Sequence, residues 1–214
     1  CTMLEVLAGR DDRDMTSSLR PVEAYRDHLN SDLRGKVIGV LENVQEVIRD
    51  QAIRDNVEAL CEKLAARGAL IRRVRMPQEL METILPVYLT IANAEATANH
   101  SNLDGIRFGM REDGESVEEV MKNSRTKGFS AYVRKRFIIG SYSLFVENQD
   151  KLFRKAQKIR RLLVDHYRAL FAECDCILAS AAPTVAPLED EASDEALGKE
   201  HLVADNHMRP DRKS

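Results

Sequence analysis

Apolar residues recur along this chain with two different periods, and the places where the period changes mark its elements. At the start, Met3, Leu4 and Leu7 repeat at helical spacing and Gly9 follows, so residues 1–7 read as the end of a helix. A charged run from Asp11 to Asp14, the polar Thr16-Ser17-Ser18 cluster and Pro21 predict a loop. Lys36 to Leu41 reads as a short apolar strand. From Val47 to Ala66, the residues Ile53, Val57, Leu60, Cys61 and Leu64 share one helical face. After Gly68, Ala69 to Val74 reads as a second strand. Strand, helix and strand with short joints form a βαβ unit, which predicts parallel strands and a right-handed crossover. The fold class is therefore α/β.

Pro77 and Pro86 flank the start signal of a second helical region, in which Leu80, Ile84, Tyr88, Ile91 and the polar exception Glu95 follow in steps of three and four. Three glycines between Gly105 and Gly114 predict a turn-rich loop. Ser116 and Glu119 then have capping-box spacing ahead of a short helix over Val117 to Asn123. Tyr132 to Leu144 and Lys151 to Phe171 read as further helices, the second with Leu152, Ala156, Ile159, Leu163, Tyr167 and Leu170 on one face. Arg160 and Arg161 fall off that stripe. Cys174 to Ala179 reads as a buried strand entering Ser180 to Pro187, a segment that crosses a sheet edge or lines a cleft. Beyond the acidic stretch Glu189 to Glu195, residues 209–214 are expected to be a disordered tail.

Composition narrows the classes. Charged residues make up 31% and hydrophobic ones 43%, the balance of a soluble globular chain. A formal net charge of -3 gives no global positive field to draw the protein onto phosphates or lipid. No apolar run approaches the ~20 residues that span a bilayer, which points to a cytoplasmic protein. The four cysteines match neither a disulfide framework nor a four-ligand zinc spacing.

The candidate chemistry is sparse. A nucleophilic serine needs a base and a cradle of amides, usually in a Gly-rich turn, and no Gly-x-Ser-x-Gly or Gly-Gly-Ser-Ser-Gly run occurs. Thr16-Ser17-Ser18 reads as a turn cluster. Cys174 and Cys176 alternate onto one strand face but supply half a metal site, and read as buried structural thiols. Arg134-Lys135-Arg136 and the set Arg154, Lys155, Lys158, Arg160 and Arg161 read as solvated helix faces in preference to phosphate contacts. From residues alone, the chain is an α/β protein with no complete active site.

Two passages go further. The first is Ile91-Ala92-Asn93-Ala94-Glu95-Ala96-Thr97-Ala98-Asn99 followed by Leu103-Asp104-Gly105-Ile106-Arg107-Phe108-Gly109. The second runs through Ser124-Arg125, Gly128-Phe129, Val133-Arg134-Lys135-Arg136 and Ile139-Gly140-Ser141-Tyr142 to Lys155-Ala156-Gln157-Lys158-Ile159-Arg160. Together they resemble the amidase-signature family, in particular its glutamyl-tRNA(Gln) amidotransferase A-subunit branch. Ala8-Gly9-Arg10-Asp11 with Asp14, Ile38-Gly39-Val40 and Ala182-Pro183-Thr184 support the match, which covers residues 1–208.

The resemblance implies a partial amidase-signature domain over residues 1–208, with a mixed β-sheet flanked by helices on both faces. It implies the glutaminase subunit of an ATP-dependent, tRNA-dependent amidotransferase, a ligase of protein biosynthesis with B and C partner subunits. ATP and Mg would be used by the partner subunit, which would also make most of the tRNA contact, and this chain would bind no cofactor. The resemblance puts the family's catalytic lysine and two serines upstream of Cys1, and Arg209-Pro210 follows Met208 where the family would continue into an apolar stretch, so both ends look cut and the chain alone is expected to be inactive. Arg160 matches an arginine that resembles a clamp for the glutamine α-carboxylate, with a surface helix arginine as the rival reading. Met110 stands where relatives often have tyrosine beside the substrate pocket, and Asn102 where they often have arginine. Those departures keep open a stand-alone amidase, and a non-catalytic structural or interaction piece is the third alternative.

Overall fold

The structure, a computed structural model, describes residues 1–185. The expected tail at 209–214 and the acidic stretch at 189–195 lie outside the described residues.

A three-stranded parallel sheet organises the C-terminal and central elements. Its strands are β1 (Val37–Leu41), β2 (Leu70–Val74) and β3 (Cys176–Leu178), in the order β2-β1-β3. In register, Val37 faces Leu70 and Leu41 faces Val74 on one side of β1, and Ile38 faces Cys176 and Val40 faces Leu178 on the other. The expected βαβ unit is therefore present, and all pairings among the described residues are parallel. Alternation along β1 feeds two cores. Val40, with Ile71 and Leu178, packs under Val57 and Cys61 of helix α3 (Gln51–Ala66). Leu41 and Val74 face the other way, into the larger core. There Val44 and Ile48, in and just after α2 (Glu42–Val47), meet Met81 and Ile84 of α4 (Gln78–Asn99) and Leu163 and Tyr167 of α8 (Phe153–Phe171). Helices thus cover both sheet faces, as expected. Gly39 makes room for this arrangement, since a Cβ there would lie 2.9 Å from the Cys174 sulfur.

Buried polar bonds and surface ions complete the sheet. Asn43, 3% exposed, donates from Nδ2 to the Met76 carbonyl at 3.1 Å and accepts from the Met76 N–H at 2.8 Å, imitating a backbone partner at the exit of β2. Asp175 accepts from the Val37 N–H at 2.8 Å and from Lys36 Nζ at 3.0 Å, tying β3 to the start of β1. β2 carries arginines on both faces, and they are paired: Arg72 with Glu173, Arg73 with Glu58, and the following Arg75 with Glu46. A fringe of paired charge suits a strand that has one neighbour among the described residues.

Several boundaries differ from the sequence reading. The helix expected over 47–66 begins only at Gln51, because Asp50 caps its start by accepting from the Ala52 N–H at 2.9 Å, and Val47 instead ends the preceding α2. Pro86 lies inside α4 rather than at its start. Its missing N–H would weaken an isolated helix by about 3 kcal/mol, but it sits on the exposed side while Met81, Ile84, Val87 and Ile91 anchor both flanks. The helix expected over 117–123 continues to Gly128 as α5 (Val117–Gly128). Ser116 caps it, accepting from the Glu119 N–H at 3.2 Å, while Glu119 reaches back to the N–H of Glu115. α1 (Thr2–Leu7), α6 (Ala131–Leu144) and α7 (Val146–Gln149) complete the described helices, with one 3-10 turn at Tyr25–His28.

Candidate functional site

The two passages that carry the resemblance form one unit in space. α4 ends at Asn99, and the turns from His100 onward lead into the Asp104–Gly109 segment. Asp104 turns the chain by accepting from the Ile106 N–H at 2.8 Å, and Gly105 follows with φ +78°. That conformation excludes a side chain, and so does the packing, since a Cβ on Gly105 would lie 2.6 Å from the Ser124 Cβ. The Gly105 N–H donates to the Phe108 carbonyl at 3.0 Å and closes the loop. Gly109 is the second left-handed position, with φ +84°.

α5 grips this loop. Ser124, buried at 3% exposure, accepts from the Glu112 N–H at 2.9 Å. One nitrogen of Arg125, Nη1, donates to the carbonyls of His100 at 2.9 Å and Leu103 at 2.8 Å. The guanidinium carbon lies 5.1 Å from the ring centre of Phe129 and 5.6 Å from that of Phe137, within cation–π range. The two rings meet edge to face at 5.0 Å. Lys127 pairs with Glu112 at 2.9 Å and Asn123 donates to the Asp113 carbonyl at 2.8 Å. Sequence reading gave Arg125 no role. Its spacing of four from Phe129, which stacks such a pair on a helix end, was the available signal.

α6 docks on α4 through equally specific contacts. Gly140 lets the helices touch, since a Cβ there would lie 2.6 Å from the Asn93 carbonyl carbon. Thr97 Oγ1 lies 3.2 Å from the Phe137 carbonyl, and Arg136 Nε donates to Asn93 Oδ1 at 2.8 Å. Arg136 is thus a packing arginine, whereas Arg134 and Lys135 are exposed as expected. Glu95 is half-buried on the same helix as Asn93 and Thr97.

Arg160 sits on α8, half-buried between Ala156 and Leu163, whose side chains belong to the packed cores. It makes no hydrogen bond or ion pair among the described residues, unlike Arg154 and Arg161 of the same helix, which pair with Asp150 and Asp165. A half-buried arginine with no partner among the described residues suits a carboxylate ligand.

The remaining candidates resolve as turns and packing. Ser17 accepts from the Asp11 N–H and donates to the Gly9 carbonyl, so the Thr16-Ser17-Ser18 cluster folds a turn. Cys174 is buried, but Cys176 is exposed, a correction to the shared buried face: β3 begins only at Cys176, so strand alternation does not extend back to Cys174. Although the residue is exposed, partial desolvation of its sulfur, then the neighbouring Asp175 charge, push the Cys176 thiol up, the opposite of an activated nucleophile. No cluster of three or more potential metal ligands occurs among the described residues. Ser180 to Val185 lines an apolar cleft of about 300 Å³ against Ile53, Val57 and Leu60 of α3, as one branch of the sequence reading anticipated. No helix among the described residues is long and apolar enough to cross a membrane.

Comparison with known proteins follows the same lines. The Amidase family model matches residues 1–208. The A subunit of glutamyl-tRNA(Gln) amidotransferase from Methylococcus capsulatus is 38% identical over 185 residues, and its counterpart from Ruthia magnifica is 34% identical over 185 residues. Each alignment covers 86% of this chain and 38% of the relative, so the chain spans well under half of their length. Among solved structures, the same amidotransferase component from Thermotoga maritima aligns with TM-score 0.61 and 24% identity over 96% of this chain and 40% of its own. A bacterial aryl acylamidase aligns with TM-score 0.60 and 20% identity over 89% and 36%. With the family matched along most of its length and the signature passages interlocked in space, the chain belongs to the amidase-signature family.

Proposed function

We propose that this chain is part of the glutaminase component, the A subunit, of a glutamine-dependent Glu-tRNA(Gln) amidotransferase, which hydrolyses glutamine and supplies the ammonia that turns Glu-tRNA(Gln) into Gln-tRNA(Gln). The observation that carries this reading is the 34–38% identity to proteins of that name over 86% of the chain. Arg160, half-buried and without a partner among the described residues, supports it as the residue that holds the glutamine α-carboxylate. In this reading B and C subunits are the partners, ATP and Mg act on the partner subunit, tRNA is met mainly there, and the assembly works in the cytoplasm. The chain alone does not hydrolyse glutamine, because hydroxyl attack requires a held base and no residue here matches the family's lysine and serines.

Co-expression with the B and C subunits tests the proposal. The expected results are a complex that survives size-exclusion chromatography and no ammonia release from glutamine by the chain alone. An isolated chain that ignores both subunits and releases ammonia refutes it. Met110 and Asn102 favour a second reading, a stand-alone amidase acting on a small amide without ATP or tRNA. That reading gains if the chain forms no complex with the B and C subunits.

A further inference from the structure

The loop that follows α4 is fully engaged on its inner side and unengaged on its outer side. Inside, the carbonyls of His100, Leu103 and Gly105 accept from Arg125 and Arg111, and the N–H groups of Gly105, Ile106 and Glu112 are all bonded. Outside, Ile106 and Phe108 are exposed, as is Arg107, while the half-exposed Met110 side chain lies back against Gly128. Loops of this kind, fixed by their base and open at their tip, commonly carry recognition.

The base has one organising group. His100 and Leu103 bracket the turn that leaves α4, and Arg125 Nη1 reaches both carbonyls at once from the last turn of α5. Both helices end here, so the guanidinium lies where their exposed carbonyls concentrate negative potential. Phe129 and Phe137 stack on it, and the His100 ring lies 5.7 Å from Phe137, so the bonds are partly buried. A lysine could supply the charge but not the planar stacking.

We propose that Arg125 is a positioning residue for amide recognition: without touching substrate, it fixes the Asp104–Met110 loop and so decides where Phe108 and Met110 stand. The proposal rests on the amide-recognition reading above. A purely structural arginine would lower global stability when replaced. A positioning residue frees one loop and leaves the rest of the fold closed.

The test compares the unmodified chain with Arg125→Met and Arg125→Lys, following tryptic cleavage after Arg107 by mass spectrometry alongside the thermal midpoint. Arg125→Met should speed cleavage after Arg107 on the order of tenfold, the change that charge-assisted hydrogen bonds control, with the midpoint little altered. Arg125→Lys should fall between. L-glutamine should slow the cleavage in the unmodified chain and not in Arg125→Met. Unchanged cleavage after Arg107, or faster cleavage at all sites with a lowered midpoint, overturns the proposal. Faster cleavage in the variant, with no glutamine protection in the unmodified chain, supports the loop's dependence on Arg125 and counts against glutamine as the ligand, so the two failures are distinguishable.

Discussion

Gly140→Ala sets two effects of known size against each other. In an exposed helix the change would be favourable, since alanine exceeds glycine by about 0.8–1 kcal/mol in helix propensity. Gly140 is instead buried at the α4–α6 contact, where the added methyl lands 2.6 Å from the Asn93 carbonyl carbon. Carbon atoms rest about 3.5 Å apart or more, so the helices must part by roughly 1 Å. Backbone cannot rotate away as a side-chain tip can. Parting also stretches the contact of Thr97 Oγ1 with the Phe137 carbonyl, at 3.2 Å, and the Arg136–Asn93 bond. Overpacking of this kind destabilises by about 1–3 kcal/mol, and a strained hydrogen bond adds about 1 kcal/mol. The steric effect exceeds the propensity gain, and Gly140→Ala should lower stability by about 1–3 kcal/mol net. Urea unfolding followed by circular dichroism reads this as a reduced midpoint with an unchanged slope. A variant as stable as the unmodified chain, or more so, would show that the helices part freely and refute the reasoning.

Three further outcomes are expected. Asn43→Ala leaves both the N–H and the carbonyl of Met76 without their side-chain partner in a buried place, and should destabilise by about 2–4 kcal/mol in the same urea experiment. The bond from the Val37 N–H, and then Lys36, hold the Asp175 carboxyl below its usual value. Its contribution is therefore present above the ordinary carboxylate range and disappears as pH falls through the lowered value. Asp175→Asn should flatten the acid limb of the stability profile, and an identical limb would contradict the assignment. Finally, an aromatic disulfide reagent should modify Cys1 and Cys176 in the folded chain, and Cys61 and Cys174 only on unfolding. Rapid reaction of all four thiols would count against the packed sheet faces.

The sequence disclosed most of what periodicity encodes. β1, α3 and β2 were legible because an apolar run and a helical stripe flank one glycine turn, and α8 because its stripe is continuous. The apolar pattern does not mark Asp50 as a cap, although its side-chain bond to the Ala52 N–H sets the start of α3. Pro86 looked like a boundary because local propensity opposes it, and tertiary packing on both flanks prevailed. Cys176 was expected to be buried by alternation, which fails where the strand is three residues long. Arg125 is singled out only weakly by Phe129 four residues on, because its hydrogen-bond partners lie 22 and 25 residues away. Arg160 was reached only through the resemblance, since its position off the apolar stripe gives no reason to single it out.

The parallel order β2-β1-β3 has a consequence for how the chain is made. β2 reaches β1 after one short crossover, but β3 arrives much later: the Lys36–Asp175 pair that joins them spans 139 residues. Ribosomes add about 5–20 residues per second, so one side of β1 waits roughly ten seconds or more for its neighbour. During that interval Ile38 and Val40 present an unpaired apolar strand to the surroundings. Closing so long a loop also slows the search once the chain is free. The sheet's last pairing is thus the step at which a chaperone, or a competing strand, has time to intervene.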